Sequence, residues 1–128
     1  MTRVALVAHD EKKSEMIELV QSNESLLGTF DIITTGTTGK RIMEETSLTV
    51  ERKESGPQGG DTQIGSEVVD GRIDGIVFLR DPLTAQPHEP DISALLRICE
   101  VHDVPLATAR TGAEYLLDGL ANDDESEC

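Results

Sequence analysis

The sequence predicts a three-layer α/β/α domain on a mostly parallel, five-stranded sheet, and three observations carry that prediction. Short apolar runs alternate with segments whose apolar residues recur at helical spacing. The clearest runs, Val4-Ala5-Leu6-Val7-Ala8 and Gly75-Ile76-Val77-Phe78-Leu79, are apolar throughout, which marks strands covered on both faces. Polar clusters follow the strands directly, at His9-Asp10, Thr35 to Gly39 and Asp81 to His88. That is where ligands bind in an open α/β sheet, outside the carboxyl ends of its strands.

Taken in order, the first strand ends at His9-Asp10, and a helix from Glu11 carries Met16, Leu19 and Val20 at i, i+3, i+4. A second strand is expected over Thr29 to Thr35. Thr35-Gly36-Thr37-Thr38-Gly39 then turns into a helix bearing Ile42 and Met43. Leu48 to Lys53 reads as a short strand. A helix with Ile64, Val68 and Val69 follows the glycine-rich loop and stops at Asp70-Gly71. Asp81-Pro82 ends the strand at Leu79, and Pro90-Asp91 starts a helix with Ile92, Leu95, Leu96 and Cys99 on one stripe. Pro105 to Ala109 is the last expected strand, and Ala113, Leu116, Leu117 and Leu120 stripe the last helix. Strands alternating with helices in this way belong to the Rossmann or flavodoxin-like architectures.

A chain of 128 residues fits one domain, assigned to 1–121, with 122–128 expected to be a disordered acidic tail. The balance of 11 basic and 25 acidic residues gives a net charge of −14, which repels nucleic acid and anionic membranes. An anionic ligand must then be held by a local site acting against the global field. With carboxylates spread over periodic, foldable segments, the composition suits a cytoplasmic protein of concentrated salt, where self-repulsion is screened. Cys99 and Cys128 form neither a disulfide framework nor a metal-binding spacing, so no metal is expected and a reducing compartment fits. Met1-Thr2-Arg3 runs directly into a strand, so no signal peptide is expected, and no apolar run approaches membrane-spanning length.

The chemistry is concentrated in four stretches. Gly56, Pro57, Gly59 and Gly60 make a tight loop whose bare backbone approaches a ligand closely, and Asp61 then opens a helix. Asp61 has two readings: an N-cap, for which Asp is a preferred residue, or a general base beside a substrate held by the Ser55-Gly56 amides. Thr35 to Gly39 combines hydroxyls, glycines and a helix N-terminus, which suits an anion as well as it suits a plain capped turn. Lys13 sits in the first turn of its helix, where a cation opposes the macrodipole. It is either a solvated lysine or a counter-charge for phosphate. Pro82, Pro87 and Pro90 stiffen the loop that carries His88, and an imidazole held still there is suited to moving protons. His88 as a plain loop residue and Asp91 as part of a helix cap are the structural alternatives.

Together these motifs resemble the methylglyoxal synthase family. The resemblance rests on Ala5-Leu6-Val7-Ala8-His9-Asp10 with Lys13, on Thr35-Gly36-Thr37-Thr38-Gly39, on Ser55-Gly56-Pro57 with Gly59-Gly60-Asp61, and on Asp81-Pro82-Leu83 with Pro87-His88 and Asp91. It runs from about Arg3 to Thr108, in the family's order. It implies a carbon-oxygen lyase that converts dihydroxyacetone phosphate to methylglyoxal and inorganic phosphate, with no cofactor. By position, it implies Asp61 as the base and His88 as the proton shuttle, with Asp81 and Asp91 among the catalytic carboxylates. His9, Asp10, Lys13, Thr35, Gly36, Thr37, Thr38, Ser55 and Gly56 would hold substrate and phosphate. A homohexamer, with phosphate as product and inhibitor, is likewise implied by the resemblance. The rivals are an effector-binding module of the same fold, which keeps the phosphate grip without needing both Asp61 and His88, and a flavodoxin-like receiver. The latter expects a late switch lysine, but no lysine follows Lys53.

The net charge of −14 generates a first prediction. The Debye length shrinks from about 30 Å at 0.01 M salt to about 3 Å at 1 M, so heat resistance and subunit assembly should both rise across that range. Circular dichroism melts and sedimentation check it; equal stability at the two ends removes the halophilic reading.

Overall fold

The computed structural model describes residues 2–126. Its five strands are β1 (Arg3–Ala8), β2 (Asp31–Thr34), β3 (Glu51–Arg52), β4 (Gly75–Leu79) and β5 (Leu106–Ala107), in the spatial order β3-β2-β1-β4-β5. All four pairings are parallel. The helices are α1 (Lys13–Ser22), α2 (Glu24–Leu27), α3 (Gly36–Glu45), α4 (Gly60–Val69), α5 (Glu89–His102) and α6 (Arg110–Ser126).

Strand alternation splits the apolar residues into two cores. Val4, Leu6 and Ala8 of β1, with Val77 and Leu79 of β4, face Met16, Leu19 and Val20 of α1, Ile42 of α3 and Leu117 of α6. Ala5 and Val7, with Ile76 and Phe78, face Ile64 and Val68 of α4 and Ile92, Leu95 and Cys99 of α5. Each central strand is therefore buried on both sides, which is why it reads as a continuous apolar run. Burial also pushes the Cys99 thiol up to about 11, which leaves it unreactive near neutral pH.

Several boundaries differ from the expected ones. Strand β2 begins only at Asp31, because Thr29 and Phe30 close the end of α2 by donating to the carbonyls of Leu26 and Leu27. The four-residue α2 has too few turns to leave a periodic signature. Pairing at β3 is limited to Glu51 and Arg52, and at β5 to Leu106 and Ala107, as suits sheet edges. The first helix opens with a tight 3₁₀ turn over Asp10–Lys12. Met43 and Val69 are exposed rather than in the stripe, since the helical period turns their neighbours Ile42 and Val68 inward. The acidic segment from Asn122 is not a disordered tail as far as Ser126, because α6 continues through it; each residue added to an existing helix adds a backbone hydrogen bond. Glu127 and Cys128 lie outside the described residues.

The arrangement serves one end of the sheet. From central β1 the chain moves out to β2 and β3 on one side, then returns to β4 and β5 on the other, so the connections diverge between β1 and β4. A crevice opens there at the carboxyl ends. At the opposite end, the Arg3 guanidinium ties β1 to Asp31 of β2 at 2.7 Å and to Glu67 of α4 at 2.5 Å. Helix α4 also packs closely on α5, because a Cβ at Gly65 would already lie 3.3 Å from Ile98 Cδ1.

The loop before α4 is set just as tightly. A Cβ at Gly60 would collide with the carbonyl oxygen of Glu54, a backbone atom that cannot swing aside. Gly60→Ala should therefore destabilise the fold by about 1–3 kcal/mol, the usual range for overpacking, as measured by urea unfolding.

Candidate active site

The crevice holds a cavity of about 220 Å³ lined by Val7, Ala8, His9, Asp10, Lys13, Thr35, Thr37, Ser55, Gly56, Pro57, Asp61, Gln86 and His88. Its size suits a small metabolite rather than a nucleotide. Wider grooves of about 640 Å³ beside α2 and about 680 Å³ beside Tyr115 are more open, and no buried titratable groups converge on either. The cavity draws on every strand end around the crevice: His9 and Asp10 follow β1, Thr35 and Thr37 follow β2, Ser55 and Gly56 follow β3, and Gln86 and His88 follow β4.

Asp61 is among the lining residues. The N-cap of α4 is Gly59, in the left-handed region at φ 102°, and Asp61 is the second residue of the helix. The capping reading therefore does not hold: its carboxylate bonds no backbone N–H, is 1% exposed, and has neither oxygen hydrogen-bonded. Asp61 Oδ2 lies 3.2 Å from His88 Nε2, within ion-pair distance. The angles there do not make a hydrogen bond, so the contact is electrostatic. Burial raises the Asp61 pKa; the charge of His88 opposes this and that of Asp91 adds to it.

The two histidines are held differently. His9 follows directly from β1, its backbone N–H donating to Leu79 O at 3.1 Å. Its Nδ1 accepts from the backbone N–H of Asp81 at 2.9 Å, so in the neutral ring the proton sits on Nε2, which is buried without a partner. Burial lowers the His9 pKa, and the charges of His88 and Arg80 lower it further. The neutral ring is thus a donor waiting for an acceptor in the cavity. His88, 8% exposed, meets His9 edge-on with ring centroids 5.9 Å apart, and its Nδ1 is likewise unpartnered.

Lys13, Thr35, Thr37 and Ser55 also line the cavity. The Lys13 ammonium donates to Ala8 O at 3.1 Å and to Asp10 Oδ1 at 2.7 Å, which offsets its unfavourable place at the start of α1. This pairing holds the largely exposed Asp10 carboxyl below its usual range. Thr35 is the backbone N-cap of α3, and its hydroxyl caps nothing. First-turn amides of α3 add donors that have no acceptor within the helix.

Four expected site residues stand behind the cavity rather than on it. The Gly36 amide is taken by Glu54 O at 3.2 Å, and the Thr38 hydroxyl donates to Ala8 O at 3.5 Å. The Asp81 carboxylate folds back onto its own loop, where the Thr84 hydroxyl and the Leu83 N–H, at 3.1 Å, hold its pKa below the usual range. Asp91, in the first turn of α5, acts on Asp61 through its charge. Conversely, Gln86 lines the cavity without standing among the expected site residues; its only signal in the sequence is an amide two residues before His88 in the proline-stiffened loop.

The MGS-like domain family matches residues 15–108 of this chain. Over 126 residues, 98% of the chain and 97% of the relative, it is 56% identical to the methylglyoxal synthase of Burkholderia lata. The chain belongs to the methylglyoxal synthase family, a family of lyases. It is also 54% identical to the methylglyoxal synthase of Borreliella afzelii over 118 residues, covering 92% of this chain and 93% of that one. The crystal structure of the Elizabethkingia anophelis methylglyoxal synthase superposes with a TM-score of 0.85 at 42% identity, over 91% of this chain and 76% of that one. A precorrin-6A reductase, CobK, shares only the fold, at 14% identity and a TM-score of 0.51. Among the described residues, no helix is long and apolar enough to cross a membrane.

The geometry of Asp61 generates a stability prediction. A carboxylate whose folded pKa is raised destabilises the fold once it is ionised, so this cost is absent below the unfolded pKa and complete above the folded one. Asp61→Asn, which keeps the shape but cannot ionise, should therefore stabilise the protein at pH 8 relative to the wild type. The gain should vanish on acidification through the raised pKa, as followed by urea unfolding at a series of pH values.

Proposed function

We propose that this family member is itself a methylglyoxal synthase, converting dihydroxyacetone phosphate to methylglyoxal and inorganic phosphate. One observation carries the reading: a cavity of triose size lined by Asp61, His9 and His88, in which both Asp61 oxygens, His9 Nε2 and His88 Nδ1 are buried without a hydrogen-bond partner. Buried polar groups are normally satisfied, and four exceptions on three residues lining one cavity support a place for a polar ligand. Coverage of 98% of this chain and 97% of the Burkholderia lata enzyme supports the whole reaction rather than a detached binding module.

In the proposed mechanism, the phosphate lies among Lys13, Thr35, Thr37 and Ser55, with the carbonyl between His9 and Asp61. Asp61 takes a proton from the hydroxymethyl carbon, and the electron pair forms the C=C bond of an enediolate. The neutral His9 Nε2–H donates to the developing oxyanion; fixed donors of this kind usually supply the largest part of the stabilisation. His88 then removes the proton from the terminal hydroxyl, the C1=O bond forms, and the double bond moves to C2=C3 as the C3–O bond to phosphate breaks. Inorganic phosphate leaves, and the resulting enolate takes a proton at C3 to become methylglyoxal. Asp81 and Asp91 are proposed to act on this sequence indirectly, the first by holding the amide that fixes His9 and the second through its charge on Asp61. A cytoplasmic homohexamer with phosphate as an inhibitor belongs to the same proposal.

Incubating purified protein with dihydroxyacetone phosphate should yield methylglyoxal and inorganic phosphate in equal amounts. Asp61→Asn should lower kcat by more than about 10³-fold, in the range typical of a lost proton-transfer group, while inorganic phosphate still binds. Absence of methylglyoxal from the wild type, with phosphate binding intact, would instead make this a binding module.

A further inference from the structure

Gly56 has no left-handed backbone to explain its glycine, since the positive-φ glycines among the described residues are Gly59 and Gly71. What its position lacks is room. A Cβ built there would lie 2.7 Å from His88 Nε2 and 3.3 Å from both Cδ2 and Cε1, so the imidazole edge rests directly on the Gly56 backbone. That same Nε2 is the atom 3.2 Å from Asp61 Oδ2. The ring is thus confined between the loop after β3 and the second residue of α4, with His9 edge-on to it.

We propose that Gly56 is the positioning residue that seats His88: the missing side chain sets how closely the imidazole approaches Asp61. This role is separate from any contact between the Gly56 amide and phosphate, and its consequence for turnover rests on the function proposed above. A methyl group at position 56 leaves the N–H in place and displaces only the imidazole. It should therefore disturb proton handling far more than phosphate binding.

The test is a cycle of Gly56→Ala, His88→Ala and the double variant, read by kcat, by KM for dihydroxyacetone phosphate and by the affinity for inorganic phosphate. Displacing a catalytic group by about 1 Å costs on the order of 100-fold, so Gly56→Ala should lower kcat by about that factor with phosphate affinity nearly unchanged. In the His88→Ala background the same methyl should cost no more than roughly twofold. Any strain of a side chain before Pro57 is common to both backgrounds and cancels. Equal losses in the two backgrounds, or wild-type kcat in Gly56→Ala, would overturn the proposal. If Gly56→Ala fails to fold, the double variant must regain the fold; if it does not, the methyl clashes elsewhere and the proposal is wrong. Should the wild type make no methylglyoxal, the functional reading fails by itself, and a crystal structure of Gly56→Ala decides the seating. An imidazole shifted away from Asp61 supports it, and an unmoved one refutes it.

Discussion

A carboxylate buried with no hydrogen-bond donor is not kept in place by its own interactions, and Asp61 is such a group. The rest of the structure supplies the restraint. Ile64 and Val68 bind α4 to the sheet, Gly65 lets it press against α5, and Arg3 holds its far end through Glu67. The tight turn through Gly59 and Gly60 sets where the helix begins. None of these contacts touches the carboxylate by a hydrogen bond, yet together they decide where its oxygens lie.

The same economy applies to the histidines. His9 is fixed by two backbone bonds, one from its own N–H to β4 and one from Asp81 to its ring, so the pairing of β1 with β4 also selects its tautomer. His88 is fixed sterically, between Gly56 and Asp61. Sheet pairing, helix packing and a missing side chain thus each orient one of the three groups that meet in the cavity. Leaving these groups unsatisfied costs stability, and that cost is what makes them available to a ligand.

Electrostatically the site works against its surroundings. A chain with a net charge of −14 presents any phosphate with an unfavourable field, and the Lys13 ammonium on the cavity wall is itself paired with Asp10. Under the proposed function, a ligand phosphate would have to compete with that pairing, and the hydroxyls of Thr35 and Thr37 would have to supply locally what the overall charge withholds.

The sequence by itself determined the layer architecture, because strands buried on both faces must be apolar throughout, as Val4 to Ala8 and Gly75 to Leu79 are. Helix stripes such as Ile92, Leu95 and Cys99 were legible for the same reason, and the motifs named the polar residues that meet beyond the strand ends. Short-range pattern could not decide which edge strands pair for only two residues, whether Met43 or Ile42 faces inward, or that Asp61 is not a cap. Nor could it separate Asp81, turned into its own loop, from Asp61, or bring Gln86 to the cavity. Those outcomes depend on contacts between residues far apart in the chain: Gly56 against His88, and His9 against the Asp81 amide. Periodicity records which face of an element is buried, whereas the direction of a buried polar atom is set by neighbours that only the folded chain brings together.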